Sequence, residues 1–343
     1  MIRYVVSIVF VIIVLHCVSS APVAAQQNGT CIVQYQWCAI CGDPLLPGTI
    51  DCVPEITFIS VCTVVSSNCA PTAAPQETCP GCGGAAGSAA AGKPINLAYG
   101  NTFIAQRDIR VAGLSGGLTL LRTWNSMWPS TQTAFQVGLF GPNWRSNFEE
   151  RVFVGDDNFV KYARGDGSFW SFGYSGGSLT VAAPANVAAT LVQGASYWTL
   201  TFQNGEQRLF DVARGNLIEV IDRNGNATQL SYDALGRLVT VTDPVSRHLY
   251  FSYASGSSYL VTSVTSDIGL AVSYSYDTQG RLSLITEPDQ STLSFQYNSQ
   301  SLITAVTDTN GNLLESHTYD SSGRGLTSSR ANGVDAVTVT YPN

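Results

Sequence analysis

Seven aromatic residues, Phe210, Tyr232, Tyr253, Tyr276, Tyr297, Tyr319 and Tyr341, follow one another at steps of 22, 21, 23, 21, 22 and 22 residues. A period this regular demands one small supersecondary unit used over and over. Five of the seven are followed directly by an acid or its amide: Asp211, Asp233, Asp277, Asn298 and Asp320. Ahead of the aromatic the chain alternates, as in Leu249-x-Phe251-x-Tyr253 and Leu293-x-Phe295-x-Tyr297, which sets these side chains on one face of a strand. A glycine turn comes next (Leu235-Gly236-Arg237, Gln279-Gly280-Arg281, Ser322-Gly323-Arg324), and a second strand then runs to another turn such as Asp222-Arg223-Asn224-Gly225. Each repeat is therefore two short strands and two turns. One hairpin cannot bury its own apolar face, so neighbours must join edge to edge into a continuous sheet.

The chain upstream has a different texture. Residues 94–205 read as β-rich, with turn clusters (Gly165-Asp166-Gly167, Gly176-Gly177) between short apolar runs and no helical period. Five of the six tryptophans fall there: Trp124, Trp128, Trp144, Trp170 and Trp198. A Gly/Ala-rich linker over 83–93 precedes this domain. Before the linker, residues 26–82 hold Cys31, Cys38, Cys41, Cys52, Cys62, Cys69, Cys79 and Cys82, an even and dense set that reads as a disulfide-rich module. Its two CxxC pairs, Cys38–Cys41 and Cys79–Cys82, leave zinc as the alternative. Arg3, the apolar run Val5–Leu15 and the small residues Val23-Ala24-Ala25 together read as a signal peptide over residues 1–25. No later stretch is long and apolar enough for a membrane helix. A net charge of −7 gives no electrostatic reason to bind nucleic acid.

Tyr232-Asp233-Ala234-Leu235-Gly236-Arg237-Leu238, repeated as Tyr276-Asp277-Thr278-Gln279-Gly280-Arg281-Leu282 and in its first half at Tyr319–Arg324, closely resembles the YD repeat of rearrangement-hot-spot (Rhs) proteins. Gly92-Lys93-Pro94-Ile95-Asn96, Leu120-Leu121-Arg122-Thr123-Trp124-Asn125-Ser126 and Gly141-Pro142-Asn143-Trp144 resemble the uncharacterised domain that precedes many Rhs cores. The likeness covers residues 92–343. It implies a β-hairpin ribbon that spirals into a shell, enclosing a C-terminal toxin or serving as an adhesion scaffold. The Asp-Pro-Gly motif that closes Rhs cores is absent, and about five full repeats are short for a closed shell. A partial YD shell over 206–343, with its toxin cargo missing from this chain, is the expectation.

Several short patterns have a chemical reading and a plainer one. Gly113-Leu114-Ser115-Gly116-Gly117 fits the hydrolase pattern GxSxG, but the following Leu118–Trp124 alternates like a strand where a helix is required. A Gly-rich turn is the better reading. Of the two histidines after the signal, His317 stands in the register of Leu230, Phe251, Tyr274 and Phe295 and so faces the core, while His248 lies on the opposite face. Arg164-Gly165-Asp166 reads as a hairpin turn rather than an integrin-type ligand. Asp222-x-Asn224-Gly225-Asn226 and Asp308-x-Asn310-Gly311-Asn312 lack the glutamate that completes a calcium loop and read as turns. Arg237, Arg281 and Arg324 recur in register and belong to the turn. Asn28 and Asn226 begin glycosylation sequons.

The expected molecule is all-β: antiparallel hairpin repeats behind a β-rich domain and a small disulfide-rich module. No catalytic, cofactor-binding or metal residue is assigned and no cofactor is expected. It is read as a secreted or cell-surface scaffold and not an enzyme. Its partners would be other proteins, cell-surface glycans or a toxin cargo, with no nucleic acid. The alternative function is a glycan-binding or adhesive module using Trp124, Trp128, Trp144, Trp170 or Trp198 as stacking platforms.

Overall fold

The computed structural model describes residues 90–91, 94–127, 137–155, 159–175, 178–184, 187–254, 256 and 258–341, together with short strands at 35–37, 41–42, 50–52 and 61–64. The signal peptide, the side chains of the cysteine cluster, most of the linker, Asn28 and Trp128 lie outside the described residues. Two compact units are present, residues 1–73 with 174–178 and residues 74–173 with 179–343. In the first, Tyr35–Trp37 pairs with Val61–Val64 and Cys41–Gly42 with Ile50–Cys52, both antiparallel. The account below concerns the second.

Its main element is a 19-stranded antiparallel sheet in strict chain order, from Arg151–Val154 to Val337–Thr338. Every strand pairs with its sequence neighbours, so the connections are hairpins throughout. The all-β expectation is met. The sheet is continuous across the expected boundary between the β-rich domain (94–205) and the array (206–343), where Gly205 closes a turn by donating to Phe202 O at 2.9 Å. Its first strand is not a bare edge: Val152 N donates to Gly215 O and Leu217 N to Glu150 O, at 2.9 and 3.2 Å. Backbone groups that would otherwise face solvent are thereby paired.

The aromatic of each repeat marks a bulge. Register shifts fall at Phe210, Tyr232, Tyr253, Tyr276, Tyr297 and Tyr319, each next to a turn. A bulge bends and twists its strand, and repeating it every second strand curves the sheet in one sense. Most inward positions are apolar and buried, as in Leu217, Leu238, Val241, Leu249, Val261, Val264, Leu282, Ile285 and Ile303. Many outward positions are Ser, Thr or Gln, as in Gln229, Ser231, Ser252, Ser273 and Ser275, so few charges suffice.

Against the inward face packs a three-stranded sheet, Phe103–Val111, Leu118–Asn125 and Trp144–Ser146, with the longest strand pair joined by the Gly-rich turn 113–117. Trp124, Trp144, Phe140, Leu118, Leu120 and Ile95 are fully buried in the joint. The core of this unit thus lies between the small sheet and the repeats.

Candidate functional site

Within a repeat, chemistry-bearing residues are spent on holding the ribbon. Each tyrosine hydroxyl donates to the bulge carbonyl of the preceding repeat: Tyr232 to Leu217, Tyr253 to Leu238, Tyr276 to Val261, Tyr297 to Leu282, Tyr319 to Ile303 and Tyr341 to Gly325, all at 2.6–2.7 Å. The acid beside it folds the turn. Asp277 Oδ1 accepts the amides of Gln279 and Arg281 at 2.9 and 3.0 Å, and Oδ2 accepts Arg281 Nε at 2.7 Å. Asp233 with Arg237 and Asp320 with Arg324 repeat this. Burial pushes these carboxyls up, yet the turn amides and the arginine hold all three below the usual range. The arginine then lies over the next tyrosine ring, 4.6 Å for Arg237 on Tyr253 and Arg281 on Tyr297, and 4.3 Å for Arg324 on Tyr341. The recurring arginines therefore belong to the turn, as their register requires.

In three repeats the inward slot two residues before the tyrosine meets an aromatic of residues 140–148. Phe251 stands edge-on to Phe148 at 6.3 Å, Tyr274 to Phe140 at 4.8 Å and Phe295 to Trp144 at 5.6 Å. His317 occupies the same slot, 2% exposed, with neither ring nitrogen hydrogen-bonded and the Glu315 carboxylate 3.5 Å away. At the centre, Asp108 grips the fully buried Arg122 through Nε at 2.5 Å and Nη2 at 2.7 Å, and accepts the Tyr274 hydroxyl at 2.6 Å. Arg122 also lies 4.6 Å from the Trp144 ring centre. Burial alone would pull this guanidinium down; Asp108 overrides it and holds the pKa above its ordinary value.

The other short patterns take their plainer readings. Ser115 sits in a single 3₁₀ turn at φ 53°, followed by a strand and not a helix. Arg164 and Asp166 pair with each other at 3.0 Å, and Asp166 Oδ1 caps Ser168 N at 2.9 Å. Asp222 and Asp308 spend their carboxylates on Asn226 and Asn312 inside their own turns. His248 is half-buried on the outer face, stacked on Tyr250 and 3.1 Å from Asp267. Among the described residues no group of three or more His, Cys, Asp or Glu gathers as a metal site. Of the proposed stacking platforms, Trp124 and Trp144 are 0% exposed and Trp198 is buried, which leaves Trp170 half-buried beneath Arg164.

One open cleft of about 620 Å³ lies between the Gly-rich turn and the hairpins at 202–208 and 220–228. Phe148 and Val220 line it among polar groups. Arg208 bridges two of its carboxylates, Glu150 at 2.5 Å and Glu206. A smaller cavity of about 180 Å³ holds Arg145, whose guanidinium burial lowers to about 10. The 620 Å³ cleft takes in Ser115 of the GxSxG stretch and the Asp222–Asn224 turn, but neither pattern foretells that the two meet, because they come from separated stretches of chain.

Comparison with known proteins adds the following. The domain of unknown function DUF6531 matches residues 92–172, and the RHS repeat matches residues 210–247 and 260–292. The tRNA nuclease WapA of Bacillus subtilis (strain 168) is 28% identical over 144 residues, 42% of this chain and 6% of that protein. The tRNA3(Ser)-specific nuclease WapA of Bacillus spizizenii matches to the same extent. Among solved structures, the TcdB2-TccC3-TEV crystal structure aligns with a TM-score of 0.30 and 12% identity, over 71% of this chain and 16% of that one. The Photorhabdus luminescens Tc holotoxin pore aligns with a TM-score of 0.25 and 14% identity, over 71% and 14%. The chain thus spans a small part of each of these relatives.

Proposed function

From a chain that carries RHS repeats behind a DUF6531 domain, we propose an exported, non-enzymatic scaffold acting in cell-surface interaction or as one part of a toxin-delivery shell. The observation that carries this reading is the filled inward face. Phe251, Tyr274 and Phe295 each meet an aromatic of the chain's own residues 140–148, so this stretch of ribbon is a plugged wall and not a lumen. A toxin cargo would sit beyond it. The recurring Asp–Arg pairs of the repeat turns, Asp233 with Arg237, Asp277 with Arg281 and Asp320 with Arg324, are committed to their own turns, which also favours a structural role. The proposed domain order is signal peptide 1–25, cysteine module 26–82, linker 83–93, β-rich domain 94–205 and repeats 206–343.

The test is export and inertness together. Epitope-tagged full chain should appear in the medium or be accessible to antibody on intact cells, and removal of residues 1–25 should hold it inside. Retention of the full chain in the cytosol overturns the reading, as does a hydrolase activity abolished by Ser115→Ala. Adhesion to glycans is the second reading; with Trp124, Trp144 and Trp198 in the core, it cannot use those three as platforms.

A further inference from the structure

We propose that Asn332–Gly333 is a spontaneous modification site, where Asn332 deamidates through a succinimide ahead of the other Asn-Gly pairs among the described residues. Glycine has no side chain to shield its backbone nitrogen, so in an Asn-Gly pair that nitrogen most readily reaches the asparagine side chain. Gly333 N attacks Cγ of Asn332 and the new C–N bond closes a five-membered ring. The side-chain nitrogen leaves as ammonia, carrying off the proton that Gly333 N gives up. Water then opens the ring at either carbonyl, giving aspartate or isoaspartate. No oxidant or cofactor is consumed.

Four such pairs lie among the described residues, Asn204–Gly205, Asn224–Gly225, Asn310–Gly311 and Asn332–Gly333, and all four are exposed. Asn28–Gly29 lies outside them. Solvent access therefore does not rank the four; the hold of each turn does. Gly225 N donates to Asp222 O at 3.0 Å, and Asp222 Oδ1 accepts the amides of Asn224 and Asn226 at 2.8 and 2.9 Å. Asp308 holds the amides of Asn310, Gly311 and Asn312 in the same way, at 2.9, 3.0 and 2.8 Å. At Asn204 the side chain itself is engaged: Oδ1 accepts Glu206 N at 3.0 Å, while Gly205 N donates to Phe202 O at 2.9 Å. In all three turns such bonds must break before nitrogen and carbon can meet. In the fourth, Arg330 stands where Asp222 and Asp308 stand, and it supplies no side-chain cap. Its guanidinium pairs with Asp335 instead, at 3.3 Å. Asn332 alone of the four takes a positive φ, 57°. Its turn leads into a short strand held by two residue pairs, Thr327 with Thr338 and Ser328 with Val337. Either product adds a negative charge to the turn that carries Asp335, and isoaspartate also lengthens its backbone by one carbon.

The experiment ages the full chain at mildly alkaline pH, digests it and follows each Asn-Gly peptide by mass spectrometry, with enzymatic methylation to count isoaspartate. We expect Asn332 to convert about fivefold or more faster than Asn224 and Asn310, the ratio that a turn bond to a carboxylate confers. In denaturant the turns are lost and the three rates should converge. Two variants exchange the clamp. Asp308→Ala should speed conversion of Asn310, and Arg330→Asp should slow that of Asn332, with Asn332→Gln as the unreactive control. Circular dichroism checks that both fold; should Asp308→Ala fail to, Arg330→Asp still decides, because it changes only an exposed turn. Conversion of Asn224 or Asn310 as fast as Asn332 in the folded chain overturns the proposal. So does an unchanged Asn332 rate in Arg330→Asp, or the same ranking in denaturant as in the folded chain. Export has no bearing on these rates, so the scaffold reading can fail with this one upheld, and the reverse.

Discussion

At the scale of single residues, the joint between the small sheet and the ribbon turns on Arg122. Its guanidinium and the Asp108 carboxylate are both completely shielded, so removing one partner strands a buried charge. Arg122→Met alone should cost about 3–5 kcal/mol, read as a lowered urea midpoint, and adding Asp108→Asn should return a good part of it. Equal losses in the single and double variants would show that shape and not charge holds the joint. Glu287 is the second residue with a consequence. It stands where other turns carry a capping aspartate, and burial, followed by repulsion from Asp108, raises its carboxyl to about 7. A carboxyl bound more tightly to its proton in the folded state stabilises below its unfolded value of 4.5, and that stability fades as pH climbs through about 7. Thermal midpoints should therefore rise between pH 8 and pH 5. The gain is limited to about 1–2 kcal/mol, because the side chain is half-exposed and screened by water. Glu287→Gln should flatten that slope. Below about pH 4 the sign reverses, as Asp233, Asp277 and Asp320, whose carboxyls are held low, take up protons.

At the scale of the element, the repeat explains both what the sequence discloses and what it hides. The 22-residue spacing, the inward alternation and the turn glycines are local, so hairpins, register and the inward place of His317 can be read directly. The partner of the inward face cannot. Asp108 and Tyr274 are 166 residues apart and no periodicity links them. The last repeat shows the same limit. Gly325 stands where other repeats place Leu238 and Leu282, which looks like decay of the motif. Its Cβ would lie 2.3 Å from Thr102 Oγ1 and 3.0 Å from Ile95, so the upstream segment already fills the leucine's space. Gly325→Leu, which restores the repeat, should thus destabilise by overpacking, by about 1–3 kcal/mol or more. An unchanged or raised thermal midpoint would contradict this. Tyr276→Phe tests the other recurring contact. It leaves the ring in place and removes the donor to Val261 O, for a loss of about 1 kcal/mol.

At the scale of the whole unit, the question is whether a repeat array can still unfold like an array. Repeats that touch only their neighbours lose structure progressively, from whichever end is weakest. Here four successive contacts, Phe251 on Phe148, Tyr274 on Phe140, Phe295 on Trp144 and Tyr319 on Trp124, fasten separate repeats to the small sheet and the segments that flank its third strand. Backbone bonds do likewise, with Val261 N on Leu139 O and Gly325 N on Gly100 O, both at 2.8 Å. No repeat among these can leave without exposing a face of the shared core, so their stabilities are coupled and not merely summed. Denaturant unfolding of residues 94–341 followed by tryptophan fluorescence, with Trp124 and Trp144 at the joint, should coincide with far-ultraviolet circular dichroism, which reports the sheet. Separated transitions would mean that the ribbon holds itself. The complementary fragment, residues 151–341 without the small sheet, exposes Leu230, Phe251, Tyr274 and Phe295 together. It should bind a hydrophobic dye and self-associate. A monodisperse fragment with a sharp thermal transition would show that bulges and tyrosine bonds alone suffice, and the small sheet would then be a passenger on the ribbon and not its core.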